Sequence, residues 1–241
     1  MKTDPDTPAD RSSPQGIPGD WTLTFDDEFN GHSVDLTKWR PNWLASSDTA
    51  ITKPVNVHEL SCYDPSLVTE RDGVLTISAV ERPCTANNGV TYPYASGIVE
   101  SYGHYQFTYG VMEARIWLPP GSGAPQNWPG FWANGTGRWP TTGEIDVMEA
   151  LHGNVCWHFH YSGGAPGGCE AGMAGGWHVF AADWQPGRID FYYDGVLAGS
   201  VDSGITSAPM YLIVNLGLSS SISGPVVAPS RMKVDYVRIW Q

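Results

Sequence analysis

The most constraining feature of the chain is a strict alternation of side chains between positions 112 and 118. Apolar residues occupy every even position, and the odd positions carry Glu113, Arg115 and Trp117. A period of two is typical of a β-strand with one buried face. Similar short segments, separated by turn residues, occur at 22–26, 73–79, 189–193, 211–216 and 234–240. Because no segment of about twelve or more residues has a helical period, the pattern predicts an all-β sandwich of two antiparallel sheets.

The length and the distribution of residue types predict one folded domain after a short tail. The chain has 241 residues, a usual length for a single all-β domain, and its 28 glycines and 19 prolines suit many turns. Residues 1–19 are rich in Pro, Asp, Ser and Thr, which predicts a disordered N-terminal tail and places the domain at 20–241. The sequence has no run of about 18 apolar residues, the length that a membrane-spanning helix needs.

The net charge of the chain restricts its partners. The formal charge is −12 at pH 7, which argues against nucleic acid because nucleic acid binds to basic surfaces. The same charge disfavours polyanionic ligands by repulsion. We therefore expect a neutral ligand.

The four cysteines indicate an oxidising compartment. None of them has the C-x-x-C spacing of a zinc site. An even count in a chain rich in Gly and Trp predicts two disulfides and secretion, with four buried free thiols as the alternative. Three pairings are possible, and proximity along the chain favours Cys62–Cys84 and Cys156–Cys169.

Three acidic residues lie close together in the segment G-E-I-D-V-M-E-A at 143–150. In a regular strand Glu144 and Asp146 share a face, whereas Glu149 has the opposite parity. A single β-bulge near Met148 absorbs one residue and returns Glu149 to that face. Because apolar residues separate the acids, we expect all three carboxylates to line one strand and to face a cleft.

Such a row of carboxylates has a chemical use. The groups repel one another and raise each other's pKa values, which a purely structural strand does not need. Hydrolysis of a glycosidic bond with retention requires an ionised nucleophile and a protonated acid, roughly 5–5.5 Å apart. An exposed acidic edge or a calcium loop is the alternative, although a calcium loop usually contains glycine and the interior positions here are Ile, Val and Met. The row therefore favours a glycosidase.

Aromatic residues surround this segment. Trp128 and Trp132 precede it in W-P-G-F-W, followed by Trp139, and each can stack on a sugar ring or belong to the core. Downstream, His158 and His160 share one face of W-H-F-H-Y, so one of them can hydrogen-bond a catalytic carboxylate. Together these residues favour a carbohydrate cleft.

The order of the motifs resembles glycoside hydrolase family 16, and its laminarinase-like branch in particular, over residues 22–241. The motifs are T-F-D-D-E-F (24–29), E-L-S-C-Y (59–63), Y-G-V-M-E-A-R-I (109–116), W-P-G-F-W (128–132), G-E-I-D-V-M-E (143–149), Y-Y-D-G (192–195) and V-D-Y-V-R-I-W (234–240). The resemblance implies a concanavalin A-like β-jelly-roll sandwich with a concave carbohydrate cleft and a retaining mechanism. It also implies that Glu144 is the nucleophile, that Glu149 is the general acid/base, and that Asp146 tunes their protonation.

The resemblance further implies ligand contacts. It makes Trp132 and Trp139 sugar-contacting residues and places His160 near the acid/base. The full set expected to bind substrate is Trp128, Trp132, Trp139, His160, Glu59 and Arg115. Many family members also bind one structural calcium ion away from the cleft. The positions that match its ligands are Glu28, the carbonyl of Gly73, and Asp235.

We therefore expect a secreted, monomeric glycoside hydrolase domain at 20–241. It is expected to cleave internal β-1,3 linkages of a neutral, laminarin-like β-glucan without a catalytic cofactor, and to bind neither nucleic acid nor membranes. Alternatives with the same chemistry are hydrolysis of a mixed-linkage glucan or a galactan, and transglycosylation. The alternative without catalysis is a lectin-like sandwich that only binds carbohydrate, against which the intact pair Glu144 and Glu149 argues.

Overall fold

A computed structural model describes residues 11–121, 125–173 and 175–241, and most of its regular structure is short strands. In chain order the strands are β1 (Leu23–Asp27), β2 (Ser61–Tyr63), β3 (Val68–Arg71), β4 (Val74–Thr85), β5 (Thr91–Ser96), β6 (Ile98–Glu100), β7 (Gly110–Leu118), β8 (Trp128–Gly135), β9 (Glu144–Leu151), β10 (Asn154–His160), β11 (Gly167–Glu170), β12 (Gly176–Gln185), β13 (Arg188–Tyr193), β14 (Val196–Val201), β15 (Met210–Gly217) and β16 (Ser230–Trp240). A 3₁₀ turn at Pro65–Leu67 follows β2. Within these described ranges, no helix is long and apolar enough to cross a membrane.

Two sheets form the sandwich. The ten-stranded sheet has the order β14-β13-β12-β7-β16-β4-β5-β2, with β1 against β16 and β3 against β4. The six-stranded sheet has the order β11-β10-β9-β8-β15-β6. Among the described strands, paired neighbours are antiparallel except for β2 and β5. The expected all-β jelly-roll sandwich is confirmed.

The main core lies between the two sheets and takes one face of most strands. In β7 the even positions are fully buried in it, as the period of two predicts. Burial of a large apolar side chain contributes roughly 1.5–3 kcal/mol. A slip of one residue would turn these side chains away from the core, so the core also fixes the register of the strands that carry the site.

Residues 11–19, which belong to the tail expected from the sequence, pack against the outer face of the ten-stranded sheet. The segment is anchored by Ile17, which is 4% exposed and lies in an apolar cluster with Val111, Ala181 and Trp240. The backbone N–H of Gln15 donates to Glu113 Oε2 at 2.7 Å, and Glu113 is itself buried. One buried isoleucine and this hydrogen bond thus connect the polar segment to the domain. Residues 1–10 of the expected tail lie outside the described residues.

Both disulfides favoured by proximity are present. Cys62–Cys84 joins β2 to β4, and Cys156–Cys169 joins β10 to β11 beside the central strands of the six-stranded sheet. None of the four cysteines, all of which lie in the described ranges, is free. In the chain-entropy model a cross-link over a loop of this size stabilises the fold by roughly 3 kcal/mol.

Candidate active site

A β-bulge in β9 brings three carboxylates onto one face. In the register with β8, Asp146 and Met148 pair with consecutive residues, so Val147 between them has no partner. The register with β10 slips at the same place. Val147 and Met148 are both buried in the core, and Glu149 returns to the face of Glu144 and Asp146, where all three line a cleft. The bulge that the sequence predicts near Met148 is therefore present.

The bulge is supported from the opposite sheet. A bulge disrupts the ladder of backbone hydrogen bonds, and a buried polar group without a partner costs roughly 1–3 kcal/mol. The hydroxyl of Tyr193, in β13, donates to the carbonyl of Val147 at 3.0 Å. Burial raises the pKa of Tyr193 well above its ordinary value, so the hydroxyl remains a donor. No local signal in the sequence connects these two residues.

Burial and mutual repulsion decide the protonation of the row. Asp146 is 3% exposed, and burial first, then the charge of Glu149, raise its pKa well above the ordinary value. Burial and the charge of Asp146 raise the pKa of Glu144, against which His160 acts to lower it. Burial and the neighbouring charges therefore favour the neutral forms of Asp146 and Glu144.

Two histidines of β10 face the row, and each lies beside different carboxylates. His160 Nε2 lies 3.0 Å from Asp146 Oδ2 and 3.8 Å from Glu144 Oε1. His158 Nδ1 lies 3.4 Å from Glu149 Oε2. His158 thus lies beside Glu149, and His160 lies beside Asp146 and Glu144 in the same cleft. The shared face of the two histidines was predictable, but the carboxylate that each one contacts depends on the bulge.

The three tryptophans of the expected site all line the cleft, in different ways. The indole N–H of Trp128 donates to Glu149 Oε1 at 3.1 Å. Trp132 is 7% exposed and lies in the floor, whereas Trp139 is 54% exposed and its ring lies 6.1 Å from that of His160. Trp139 therefore offers the most open aromatic face beside the carboxylates.

Glu59 lines the cleft and ends a chain of hydrogen bonds that holds Trp132. The Trp132 indole N–H donates to Asn215 Oδ1 at 2.9 Å, and Asn215 Nδ2 donates to the Tyr63 hydroxyl at 2.9 Å. The Tyr63 hydroxyl in turn donates to Glu59 Oε2 at 2.5 Å. An indole N–H only donates, so the direction of every bond in the chain follows from it. Burial raises the pKa of Glu59 to about 7, against the lowering effect of Tyr63.

Two residues of this hydrogen-bond chain, Tyr63 and Asn215, were not predicted from the sequence as site residues. Tyr63 stands in the same E-L-S-C-Y block as Glu59, and Asn215 is the single polar residue in the otherwise apolar run at 211–216. A polar residue in a strand of this kind usually marks either a bonded partner or a ligand contact. That signal was available, but it does not identify the partner.

Arg115 does not lie in the cleft, which corrects the expectation that it binds substrate. It belongs to β7 of the ten-stranded sheet, and its odd position turns it to the outer face of that sheet. Its guanidinium donates to Asp235 Oδ2 at 3.1 Å and lies 4.7 Å from the ring centre of Trp177. The alternation at 112–118 predicts the parity of Arg115 correctly, but it does not show on which sheet β7 lies.

The positions expected to bind calcium do not fit a calcium ion. Arg238 donates to both carboxylate oxygens of Glu28, at 2.7 and 3.2 Å, and both side chains are buried. Asp235 forms an ion pair with Arg115, which donates to its Oδ2 at 3.1 Å. Calcium requires carboxylate oxygens that are available as ligands, whereas here guanidinium groups balance both charges. Gly73 lies in the turn between β3 and β4, with a φ of 78° that suits glycine.

In the cleft, two overlapping groups of side chains have donor atoms that could hold a metal ion. Among the described residues, these are Glu144, Asp146 and His160, and Asp146, Glu149 and His158, with the donor atoms of each group within 4.8 Å of one another. Imidazole and carboxylate donors suit zinc and similar ions. Both groups consist of the cleft residues already described.

The cleft that contains these residues has a volume of about 720 Å³. Its remaining walls are mostly apolar and include Trp43, Val55, Val57, Leu151, Ala165 and Ile222. A long apolar cleft with a few polar groups at its floor is the usual form of a ligand site. Acids in a row, imidazoles beside them and aromatic rings around them suit acid–base chemistry on a polymer of sugars.

Comparison with known proteins agrees with this geometry. A family model described as beta-glucan synthesis-associated protein SKN1/KRE6/Sbg1 matches residues 2–149. The glucan endo-1,3-beta-glucosidase A1 of Niallia circulans is 29% identical over 91% of this chain and 38% of its own length. The endo-1,3-1,4-beta-glycanase EglC of Rhizobium meliloti is 31% identical over 91% of this chain and 51% of its own length. The chain thus spans about half or less of these relatives.

Solved structures match over nearly their whole length. The catalytic domain of an endo-1,3-beta-glucanase (laminarinase) from Thermotoga petrophila superposes with a TM-score of 0.77 at 26% identity, covering 92% of this chain and 98% of that one. SCLam, a non-specific endo-beta-1,3(4)-glucanase, superposes with a TM-score of 0.78 at 28% identity, covering 95% and 94%. Fold and site together define the class of family 16 glycoside hydrolases. The chain belongs to the SKN1/KRE6/Sbg1 family within this class, and its laminarinase-like character is confirmed.

Proposed function

We propose that this protein is an endo-acting, retaining glycoside hydrolase that cleaves internal β-1,3 linkages of a neutral β-glucan. The observation that carries the proposal is the bulge of β9, which places Glu144, Asp146 and Glu149 on one face of an aromatic cleft. The names of the similar endo-1,3-beta-glucanases support the linkage. The net charge of −12 supports a neutral polymer over a polyanion.

In this mechanism Glu144 is the nucleophile and Glu149 is the general acid/base. Glu144 attacks the anomeric carbon, the glycosidic C–O bond breaks, and the leaving oxygen takes the proton of Glu149. Water then attacks the same carbon, the bond to Glu144 breaks, and Glu149 takes the proton of the water. Asp146 lies between the two groups and is proposed to tune them; it is the most buried of the three, and its charge raises the pKa of Glu144. His160 favours the ionised form of Glu144.

The aromatic residues and Glu59 are proposed to bind the glucan. Trp139 has the exposure that stacking on a sugar ring requires, and Trp128 and Trp132 form the floor next to the carboxylates. Glu59 holds the Trp132 ring through Tyr63 and Asn215, and it also borders the cleft itself.

We also propose that the domain is secreted, acts as a monomer, and needs no catalytic cofactor. The two disulfides support an oxidising compartment. Two carboxyl groups in the proposed roles suffice for hydrolysis with retention. The charge of the chain makes nucleic acid an unfavourable partner.

The substrate is tested by a panel of polysaccharides at equal mass concentration. We expect reducing ends to appear fastest from laminarin, more slowly from mixed-linkage lichenan, and slowest from agarose, galactan and carrageenan. Viscosity should fall early in the reaction, because an endo-acting enzyme cuts inside the chain. Faster release from agarose or carrageenan than from laminarin would contradict the proposed substrate.

The stereochemistry tests the mechanism independently of the substrate panel. Proton NMR of the first products from a β-linked glucan should show the β-anomer, with the α-anomer appearing later by mutarotation, because two successive displacements restore the configuration. A first product in the α form would mean that water attacks directly and that Glu144 forms no covalent intermediate.

A further inference from the structure

His158 is a cleft residue to which neither the resemblance nor the mechanism above gives a role. It lies in β10, opposite Asp146 across the strand pair, and its side chain is 22% exposed. Its Nδ1 atom faces Glu149 Oε2 at 3.4 Å. That distance exceeds the usual length of a good hydrogen bond, and catalytic hydrogen bonds are often long before substrate binds.

The two oxygens of Glu149 have different surroundings. Oε1 accepts the indole N–H of Trp128 at 3.1 Å. An indole N–H is only a donor, and the carbonyl oxygen of a protonated carboxyl group is a better acceptor than its hydroxyl oxygen. The acidic proton therefore belongs on Oε2, which is the oxygen that faces His158.

The imidazole of His158 is held in place from the neighbouring edge strand. Gly167 of β11 lies directly beside it, and a Cβ atom at that position would lie 2.3 Å from His158 Cδ2 and 2.2 Å from the carbonyl of Trp157. The disulfide Cys156–Cys169 ties β11 to β10 within two residues of both His158 and Gly167. The absence of a Cβ at Gly167 thus leaves the space that the imidazole occupies, and the disulfide holds the two strands together beside it.

We propose that His158 is a positioning residue for the general acid/base. The inference rests on the proposed function, in which Glu149 gives its proton to the leaving oxygen. As the proton leaves, Glu149 gains a negative charge close to Asp146, and an Nδ1–H of His158 donates to the new charge on Oε2. In the second step the same contact is released as Glu149 takes the proton of the attacking water. The contact strengthens with the charge, so it stabilises the transition state more than the bound substrate.

The test compares a poor leaving group with a good one. His158→Leu removes the donor at similar bulk, and we expect kcat on laminarin to fall about 10- to 100-fold, the size of one hydrogen bond to a charged group. On 2,4-dinitrophenyl β-laminaribioside, whose leaving group departs without a proton, the rate of aryl release in the first turnover should stay within about threefold. His104→Leu, an exposed histidine outside the cleft, serves as the matched control and should leave both rates unchanged.

Conservative variants separate a positioning role from a packing role. The amide nitrogen of asparagine can occupy the place of Nδ1, whereas that of glutamine reaches the place of Nε2. His158→Asn should therefore recover most of the laminarin activity, and His158→Gln should resemble His158→Leu. Equal losses on both substrates, no loss on laminarin, or better recovery with glutamine would each overturn the inference.

Glu149→Ala is measured in the same series to separate this inference from the proposed function. If Glu149→Ala shows the dependence on the leaving group and His158→Leu does not, the role of His158 is refuted and that of Glu149 stands. If Glu149→Ala shows no such dependence, the assignment of the acid/base fails, and the role of His158 fails with it.

Discussion

Replacement of Glu144 by glutamine is expected to lower kcat on laminarin by roughly 10⁴-fold or more. The amide has nearly the shape of the carboxylate, but it cannot form the glycosyl ester on which the two-step mechanism depends. The loss should appear in kcat rather than in KM, because the residue acts on the anomeric carbon and not on substrate binding in general. Steady-state kinetics on laminarin measures both parameters.

The fold should tolerate this change. Burial and the charge of Asp146 raise the pKa of Glu144, so a neutral side chain relieves repulsion at this position. We therefore expect a thermal midpoint equal to or slightly above that of the wild type. Retention of more than about a tenth of the wild-type kcat would show that another residue forms the covalent bond.

The second large effect is expected for Glu149→Ala, with a loss of roughly 10²- to 10⁴-fold on laminarin. Without the acid, the sugar leaving group departs poorly, and without the base, water attacks poorly. The small cavity left by the substitution admits azide, which needs no base to attack. Azide should therefore restore turnover of 2,4-dinitrophenyl β-laminaribioside and yield a β-glycosyl azide.

The configuration of the azide product identifies the two roles. Rescue through the covalent intermediate of Glu144 gives the β-azide, whereas direct attack in a variant that lacks the nucleophile gives the α-azide. Glu144→Ala treated with azide is the matched control and should give the α product. If the two variants gave the reverse products, the roles of Glu144 and Glu149 would have to be exchanged.

The features that the sequence predicted correctly are those set by local pattern. The parity of β7 follows from its alternation, and the bulge follows from the odd spacing of Glu144 and Glu149 together with the apolar residues between them. The disulfides follow from short separations along the chain. In each case the physical cause acts within about twenty residues, so the sequence contains the information needed.

The features that the sequence did not predict concern contacts between distant segments. Arg115 has the outward parity that was predicted, but only the sheet order shows that its strand lies in the sheet without the cleft. The sequence shows that Glu28 and Asp235 are acidic, but only the fold shows which arginines pair with them. The contact between His158 and Glu149 depends on how two neighbouring strands shift around one bulge, which a resemblance based on motif position does not describe.

The hydrogen bond between Tyr193 and the carbonyl of Val147 has a consequence for how this motif can change in evolution. Loss of one residue from β9 would produce the shorter E-x-D-x-E spacing, with all acids on one face of a regular strand. The carbonyl would then pair within its own sheet and leave the Tyr193 hydroxyl buried without a partner, at a cost of roughly 1–3 kcal/mol. A deletion is therefore tolerated best in a background that already carries phenylalanine at position 193. When lineages pass from the longer to the shorter form, the residue at position 193 in the opposite sheet should therefore change first, and the length of the motif afterwards.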